Sequence, residues 1–201
     1  MSALLTGPVT LVHRLASVVE PLRMGELFAL AQPLEVELGS GDGSFMARYA
    51  AAHPERNFIA VERLLGRLRK LDRKGQRAGL RNLRLISLEA AYLVRYLLPT
   101  GSVSALHVYF PDPWPKRKHR KHRLINEEFT EMAWNCLVPG GVVYLRTDDG
   151  DYFTQMTRVF GENPKFAAVE TPVELAAVVT DFERSFNAKG IPTRHAAYQK
   201  A

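Results

Sequence analysis

From residue 34 onward, apolar positions follow two alternating rhythms. Short segments at Leu34–Leu38, Asn57–Val61, 83–87, 105–110 and 142–147 read as strands. Between them, stretches 44–52, 64–76, 90–98 and 123–137 space apolar residues three and four apart and read as helices. Breakers sit near several of their ends, at Pro54, at Pro99 and at Pro139-Gly140-Gly141. A helix around 152–160 follows the fifth strand, and strand-like runs at 166–170 and 193–198 close the pattern. Before it, Leu11, Leu15, Val18, Val19, Leu22, Leu27 and Leu30 form an amphipathic stretch interrupted by Pro21, which predicts one or two helices. The chain therefore divides into an N-terminal helical extension, 1–33, and one domain, 34–201. There is no internal repeat and no Gly/Ser linker.

Strands alternating with helices predict an α/β fold with an open, mostly parallel sheet. In such sheets ligands bind outside the carboxyl ends of the strands, near the point where strand order reverses. A motif at a strand's C-terminal end is thus a site candidate, and a motif elsewhere is structural by default.

Composition narrows the function classes. A chain of 201 residues with 46% hydrophobic and 24% charged residues is globular, which excludes wholesale disorder. The single cysteine, Cys136, excludes an internal disulfide and fits a reducing, cytoplasmic setting. No apolar run approaches the length of a membrane span, and residues 1–10 lack the pattern of a signal peptide. No His/Cys cluster has metal-ligand spacing, so no metal is expected. The net charge is +6, and the block Lys116-Arg117-Lys118-His119-Arg120-Lys121-His122-Arg123 alone holds six Lys/Arg and no acid. A local basic block reads as an anion-binding patch, for phosphates of a nucleic acid or an acidic lipid, or else as a solvated charge run.

Four motifs pass the strand-end filter. Glu37-Leu38-Gly39-Ser40-Gly41-Asp42-Gly43 follows the first strand and opens a helix. Its spacing is G-x-G-x-G, not the G-x-G-x-x-G of dinucleotide sites, and Glu37 would oppose a pyrophosphate but suit a cationic ligand. Glycines there serve a nucleoside cofactor or simply a tight turn. Glu62, about 20 residues on and after the second strand, is placed to accept hydrogen bonds from ribose hydroxyls, or to act as a helix N-terminal acid. Glu89, after the third strand, could reach an adenine amino group or serve as a first-turn acid. The fourth strand runs into Phe110-Pro111-Asp112-Pro113-Trp114-Pro115-Lys116, a proline-braced loop carrying an acid and an aromatic into the basic block. The fifth ends at Thr147-Asp148. Thr180 to Arg184 reads as a helix start with Thr180 as N-cap and Glu183 completing a capping box.

The glycine turn with Glu37, Glu62 and Glu89 resembles the class I S-adenosylmethionine-dependent methyltransferases, whose cofactor has no phosphates and a positive sulfonium. The stretch from Phe110 to Arg123 closely resembles the signature of the tRNA (guanine-N7)-methyltransferases. Thr180-Asp181-Phe182-Glu183-Arg184, continued by Ser185-Phe186-Asn187-Ala188-Lys189-Gly190, resembles that family's Thr-x-Phe/Tyr-Glu motif. The resemblance spans about residues 34–200. Three positions depart from it: Ser40 and Asp42 replace bulkier apolar residues, and Glu89 replaces Asp.

The resemblance implies a Rossmann-like class I methyltransferase fold, with a mostly parallel seven-stranded sheet flanked by helices and the last strand antiparallel. It implies methyl transfer from S-adenosylmethionine to N7 of a guanine in the variable loop of tRNA. Glu37, Gly39, Gly41, Glu62, Glu89 and Asp112 would bind cofactor, with Asp112 also catalytic. Lys116, Asp148, Thr180, Asp181, Phe182 and Glu183 would meet the substrate, and Trp114 would stack on a base or brace its loop. Arg117, Lys118, Arg120, Lys121 and Arg123 would grip the RNA backbone. The expected partner is tRNA, acted on by a monomer or homodimer with no membrane and no protein partner. Two other readings compete: an amino-group methyltransferase, whose strand-four motif is commonly Asp/Asn-Pro-Pro-Tyr/Phe, and a non-catalytic RNA-binding module on the same fold.

Overall fold

A computed structural model describes residues 10–201. Seven strands form one sheet in the order β3-β2-β1-β4-β5-β7-β6. They are β1 (Leu34–Leu38), β2 (Asn57–Val61), β3 (Leu83–Ile86), β4 (Val103–Tyr109), β5 (Leu137–Thr147), β6 (Phe166–Val169) and β7 (Arg194–Lys200). Strands β1 to β5 pair in parallel, and β7 runs antiparallel to both β5 and β6. This is the sheet the resemblance implied.

Helices cover both faces: α1 (Met24–Leu27), α2 (Ser44–Ala52), α3 (Leu65–Arg77), α4 (Ala90–Tyr92), α5 (Glu127–Cys136), α6 (Gly150–Gly161), α7 (Val173–Ala176) and α8 (Asp181–Asn187). On one face Val36, Ile59, Leu106 and Val143 pack with Phe129 of α5 and Phe160 of α6. On the other, Phe58, Ala60 and Leu85 pack with Phe45 of α2 and Leu68 and Leu71 of α3. Burial on both faces explains the nearly unbroken apolar run of β2, while β1 alternates its apolar residues with Glu35 and Glu37. The chain builds outward from β1 to β3, then returns to lay β4 on the other side of β1. Strand order therefore reverses between β1 and β4, which places a crevice at their carboxyl ends.

Several local expectations are corrected. Among residues 10–33 the only helix is the single turn α1, and residues 1–9 lie outside the described residues. Leu11, Leu22, Leu27 and Phe28 are instead buried one by one against the domain. Val12 bridges Leu85, with His13 N–H donating to Leu85 O at 2.8 Å and Leu85 N–H to Leu11 O at 3.0 Å. The apolar spacing there serves docking on the domain, residues 11–13 along the edge of β3 and Leu22, Leu27 and Phe28 in the core on one sheet face. Residues 90–98 form α4 continued by a π-helical stretch, Leu93–Leu97. The helix expected over 123–137 begins only at Glu127, where the Asn126 side chain caps Phe129 N–H at 2.9 Å. β5 runs through Pro139-Gly140-Gly141 because register jumps from Val103↔Leu137 to Ala105↔Val142, leaving the breakers in a bulge.

Candidate active site

β1 places Glu35 and Glu37 two residues apart on the same face, and both are buried. Their environments differ. Glu35 Oε1 accepts from Arg56 at 2.7 Å, and Oε2 lies 2.7 Å from His107 Nε2. His107 Nδ1 is in turn 2.8 Å from the Tyr109 hydroxyl. Burial would raise the Glu35 carboxyl, but the hydrogen bonds and charges of His107 and Arg56 outweigh it and hold it below the ordinary range. Glu37 is 4% exposed and its Oε2 has no hydrogen-bond partner. Burial pushes this carboxyl up to about 8 against the pull of Arg146, with Asp42 and Glu62 adding repulsion. A buried carboxylate without a partner is costly until a cation or donor joins it. Glu35 is therefore a finished structural network, and Glu37 an unpartnered acceptor beside a cavity.

Glu37 lines a cavity of about 400 Å³ together with Gly39, Gly41, Asp112, Asp148, Thr180 and Phe182. A neighbouring cavity of about 330 Å³ is lined by Glu62, Leu64, Glu89, Trp114 and His122, and again by Gly39 and Asp112. Arg67, Tyr109, Phe110 and Pro111 also border both, so the two are halves of one crevice over β1, β2 and β4. Gly39 and Gly41 have φ of 80° and 56°, and a Cβ on either would meet no neighbour within 4 Å. They open the backbone to whatever fills the crevice. Gly43 does a different job: its φ is 73°, and a Cβ there would lie 2.2 Å from Leu71, so it sets the approach of α2 to α3. Ser40 Oγ, like Glu37 Oε2, is buried without a partner. Asp42 turns to Lys74 at 2.9 Å, which ties the turn to α3.

Glu62 spans the crevice floor: Gly41 N–H donates to its Oε2 at 3.1 Å and Leu64 N–H to its Oε1 at 2.7 Å. Glu89 is the N-cap of α4, accepting from Ala91 and Tyr92 N–H at 3.0 and 2.7 Å. Each carboxylate keeps lone pairs for a further donor. Asp112 is exposed, borders both halves, and accepts no hydrogen bond among the described residues. The flanking Phe110 and Trp114 have φ of 52° and 43°, a left-handed conformation that non-glycine residues adopt rarely. Such strain persists only where surroundings enforce it, and it clusters at functional loops. Trp114 is 37% exposed and packs edge-on to His119 and obliquely on His122, with centroids 5.9 and 5.2 Å away.

Three residues of the expected set have other employment. Arg123, counted with the basic block, is 2% exposed. Its Nε donates to Pro113 O at 2.7 Å, Nη1 to Gln155 Oε1 at 2.9 Å and Nη2 to Asp151 Oδ2 at 2.6 Å, while the guanidinium covers the Tyr152 ring at 4.7 Å. It anchors the proline loop from within and does not face solvent. Glu183 is also buried: it completes the capping box with Thr180 and pairs with Arg146 Nη1 at 3.0 Å. Burial would raise Glu183, but His195 and Arg146 outweigh it and keep it ionised. Asp181 lies outside the crevice lining, its carboxylate on Arg184 at 2.9 Å. Lys116, Arg117, Lys118, Arg120 and Lys121 do not line the crevice either. The latter four stand exposed on a 3-10 helix, Arg117–His122, that continues from Trp114, with Arg120 paired to Asp151 at 3.0 Å.

Arg146, which sequence reasoning passed over, organises this half of the site. It is 1% exposed on β5 and donates to Val178 O at 2.9 Å and Leu175 O at 2.6 Å, besides Glu183. It thus straps the 175–183 segment, with Thr180, to the sheet. Phe186, named in the sequence only as part of a motif's continuation, forms an aromatic rim with Phe110 and Phe182, with Phe110 to Phe186 centroids 5.9 Å apart. An arginine next to the C-terminal end of an otherwise apolar strand was the one signal available for Arg146.

Comparisons with known proteins agree with this geometry. The family model described as "Putative methyltransferase" matches residues 31–196. The tRNA (guanine-N(7)-)-methyltransferase of Myxococcus xanthus is 36% identical over 177 residues, covering 86% of each chain. That of Nitrosomonas eutropha is 33% identical, covering 90% of this chain and 82% of its own. Among solved structures, the 16S rRNA methyltransferase KamB superposes with a TM-score of 0.64 at 15% identity, covering 89% of this chain and 92% of that one.

Proposed function

The chain belongs to the tRNA (guanine-N(7)-)-methyltransferase family, and on that premise we propose that it transfers a methyl group from S-adenosylmethionine to N7 of a guanine in the variable loop of tRNA, in the cytoplasm. The observation that carries the reading is the crevice at the β1/β4 switch, with the unpartnered Glu37 at one side and the uncommitted Asp112 between its halves. When bound, the cofactor supplies a methyl group on a positively charged sulfur. The residues present suit such a group. Glu37 Oε2 is a buried acceptor waiting for an ammonium donor, the Gly39 and Gly41 backbone is open, and the acids of the turn would repel a pyrophosphate. Glu62 and Glu89 offer carboxylate lone pairs to ribose hydroxyls and an adenine amino group.

Guanine N7 carries a lone pair and no hydrogen, so methylation removes no proton and leaves a positive purine. The chain needs no general base for the transfer. It needs alignment of N7 with the methyl group and negative charge near the developing cation. The Asp112 carboxylate supplies that charge and accepts from the guanine Watson–Crick edge. Asp148, Thr180 and the Phe110, Phe182 and Phe186 rim shape the substrate side. The base enters from a folded RNA and must leave its tertiary contacts, with Trp114 at the mouth as a stacking wall. Lys116, Arg117, Lys118 and Lys121 hold phosphates nearby.

The test is methyl transfer from labelled S-adenosylmethionine to an unmodified tRNA transcript, beside one whose variable-loop guanine is adenine. Label in the first alone, with strand scission by chemistry specific for N7-methylguanine, is the expected result. Label in both, or label without scission, overturns the reading.

A further inference from the structure

Removing the 116–123 block from the charge count leaves a neutral remainder, yet that remainder is not evenly mixed. Residues 63–84 hold nine Lys/Arg and one acid. Most of this charge lies on α3, which buries Leu68, Leu71 and Gly75 against the sheet. Lys70, Arg73 and Arg77 follow one another at three- and four-residue spacing on the opposite side, with Arg69 beside them. All four are exposed, and among the described residues none takes part in an ion pair, whereas their neighbour Lys74 is tied to Asp42. The helix's only acid does not neutralise them. Asp72 is engaged with the N-terminal segment, accepting from Leu11 N–H at 2.8 Å and Thr10 Oγ1 at 3.0 Å. Residues 1–9 contain no acid. Arg69–Arg73 and Arg73–Arg77 are like-charge pairs four apart, which weaken a helix in isolation.

The place of this face matters as much as its charge. The N-cap Leu64 and Arg67 in the first turn of α3 border the crevice, as do Trp114 and His122. The helix then runs away from the crevice for about 20 Å, the length of thirteen residues. Two basic tracks, the 3-10 helix and α3, therefore each have one end at the same cavity. We propose that the exposed face of α3, through Arg69, Lys70, Arg73 and Arg77, is a second phosphate-binding track. It would grip the backbone of the tRNA whose guanine sits in the crevice. The inference rests on the tRNA reading above. Like charge disfavours a second copy of this chain as the occupant, and continuity with the crevice favours the RNA over an acidic lipid surface.

The experiment replaces Arg69, Lys70, Arg73 and Arg77 together by Ala, which keeps helix propensity high and spares Arg67 at the crevice. A second variant, Lys70→Gln with Arg73→Gln, keeps long side chains. tRNA affinity is followed against salt, alongside methyl transfer, the thermal shift given by S-adenosylhomocysteine, and binding to phosphatidylglycerol vesicles. In the fourfold variant the slope of log affinity on log salt is expected to flatten by about three, with tRNA binding about a hundredfold weaker near 0.15 M salt and the cofactor thermal shift unchanged. The double variant should flatten it by between one and two. Unchanged tRNA slopes in folded variants, with wild-type transfer intact, overturn the inference alone. Loss of vesicle binding with tRNA affinity intact overturns it in favour of a lipid surface. A wild-type chain that transfers no methyl group to tRNA overturns the reading beneath it.

Discussion

Arg123 and Lys118 stand five residues apart in the same basic run, and the structure assigns them opposite duties. Replacing Arg123 by Met keeps the aliphatic stem and removes the guanidinium. Two hydrogen bonds from a charged donor are lost, at 2.7 Å to Pro113 O and 2.9 Å to Gln155 Oε1, together with the cover over Tyr152. Each such bond contributes about 1 kcal/mol or somewhat more, and the cation–π contact about 1 kcal/mol. The Asp151 partner is half exposed and is left out of the sum, since water replaces the lost contact there. The expected loss is about 3 kcal/mol, or about 6–12 °C in melting temperature for a chain of 201 residues. Because Arg123 braces the loop that presents Asp112, methyl transfer should fall about tenfold or more. The salt slope of tRNA binding should not change. Lys118→Met should do the reverse, leaving melting intact and flattening the slope by about 0.7–0.9. Scanning calorimetry and anisotropy titrations at several salt concentrations read both. An Arg123→Met protein that melts like wild type and loses one unit of slope would refute the reasoning.

Other consequences are as direct. Asp112→Asn should lower the rate constant for transfer at saturating cofactor by about 100-fold while the melting temperature of the free chain stays intact; near-full turnover would remove the charge argument. Glu37 binds a proton more tightly in the folded chain than when unfolded, so between pH 4.5 and about 8 the folded state holds more protons and stability falls as pH rises. An ammonium ligand prefers the ionised form, so S-adenosylhomocysteine affinity should rise toward pH 8, by at most tenfold per pH unit, and Glu37→Gln should flatten that rise in calorimetric titrations. Gly43→Ala should cost about 1–3 kcal/mol in denaturant unfolding, from the left-handed φ and the contact with Leu71.

Much of this architecture is legible in the sequence because local and global preferences agree. Leu34–Leu38 alternates Leu34, Val36 and Leu38 with two glutamates, Asn57–Val61 is apolar after its first residue, and both are the strands expected. Thr180 and Glu183 have the spacing of a capping box, and the box is there. The strand-end filter found Glu37, Glu62, Glu89 and Asp112 without coordinates, because parallel topology carries those ends to one crevice. What stayed hidden is direction. Arg123 and Lys121 are equivalent in a charge count, and only the buried Ile125 just beyond hints that the chain is already turning inward. A net balance likewise concealed α3, since acids elsewhere cancelled its charge in the sum but not in space. The 11–30 pattern misled because isolated leucines docking on a domain and leucines lining a helix have similar spacing. Pro139-Gly140-Gly141 misled because a bulge can carry breakers through a strand.

The central claim concerns one atom, and one measurement isolates it. A tRNA carrying 7-deazaguanine at the variable-loop position keeps the Watson–Crick edge and the stacking surface but has carbon in place of N7. The account predicts that this tRNA binds as tightly as the guanine form and accepts no methyl group. Transfer to it at the normal rate would contradict the account and move the reaction to another atom.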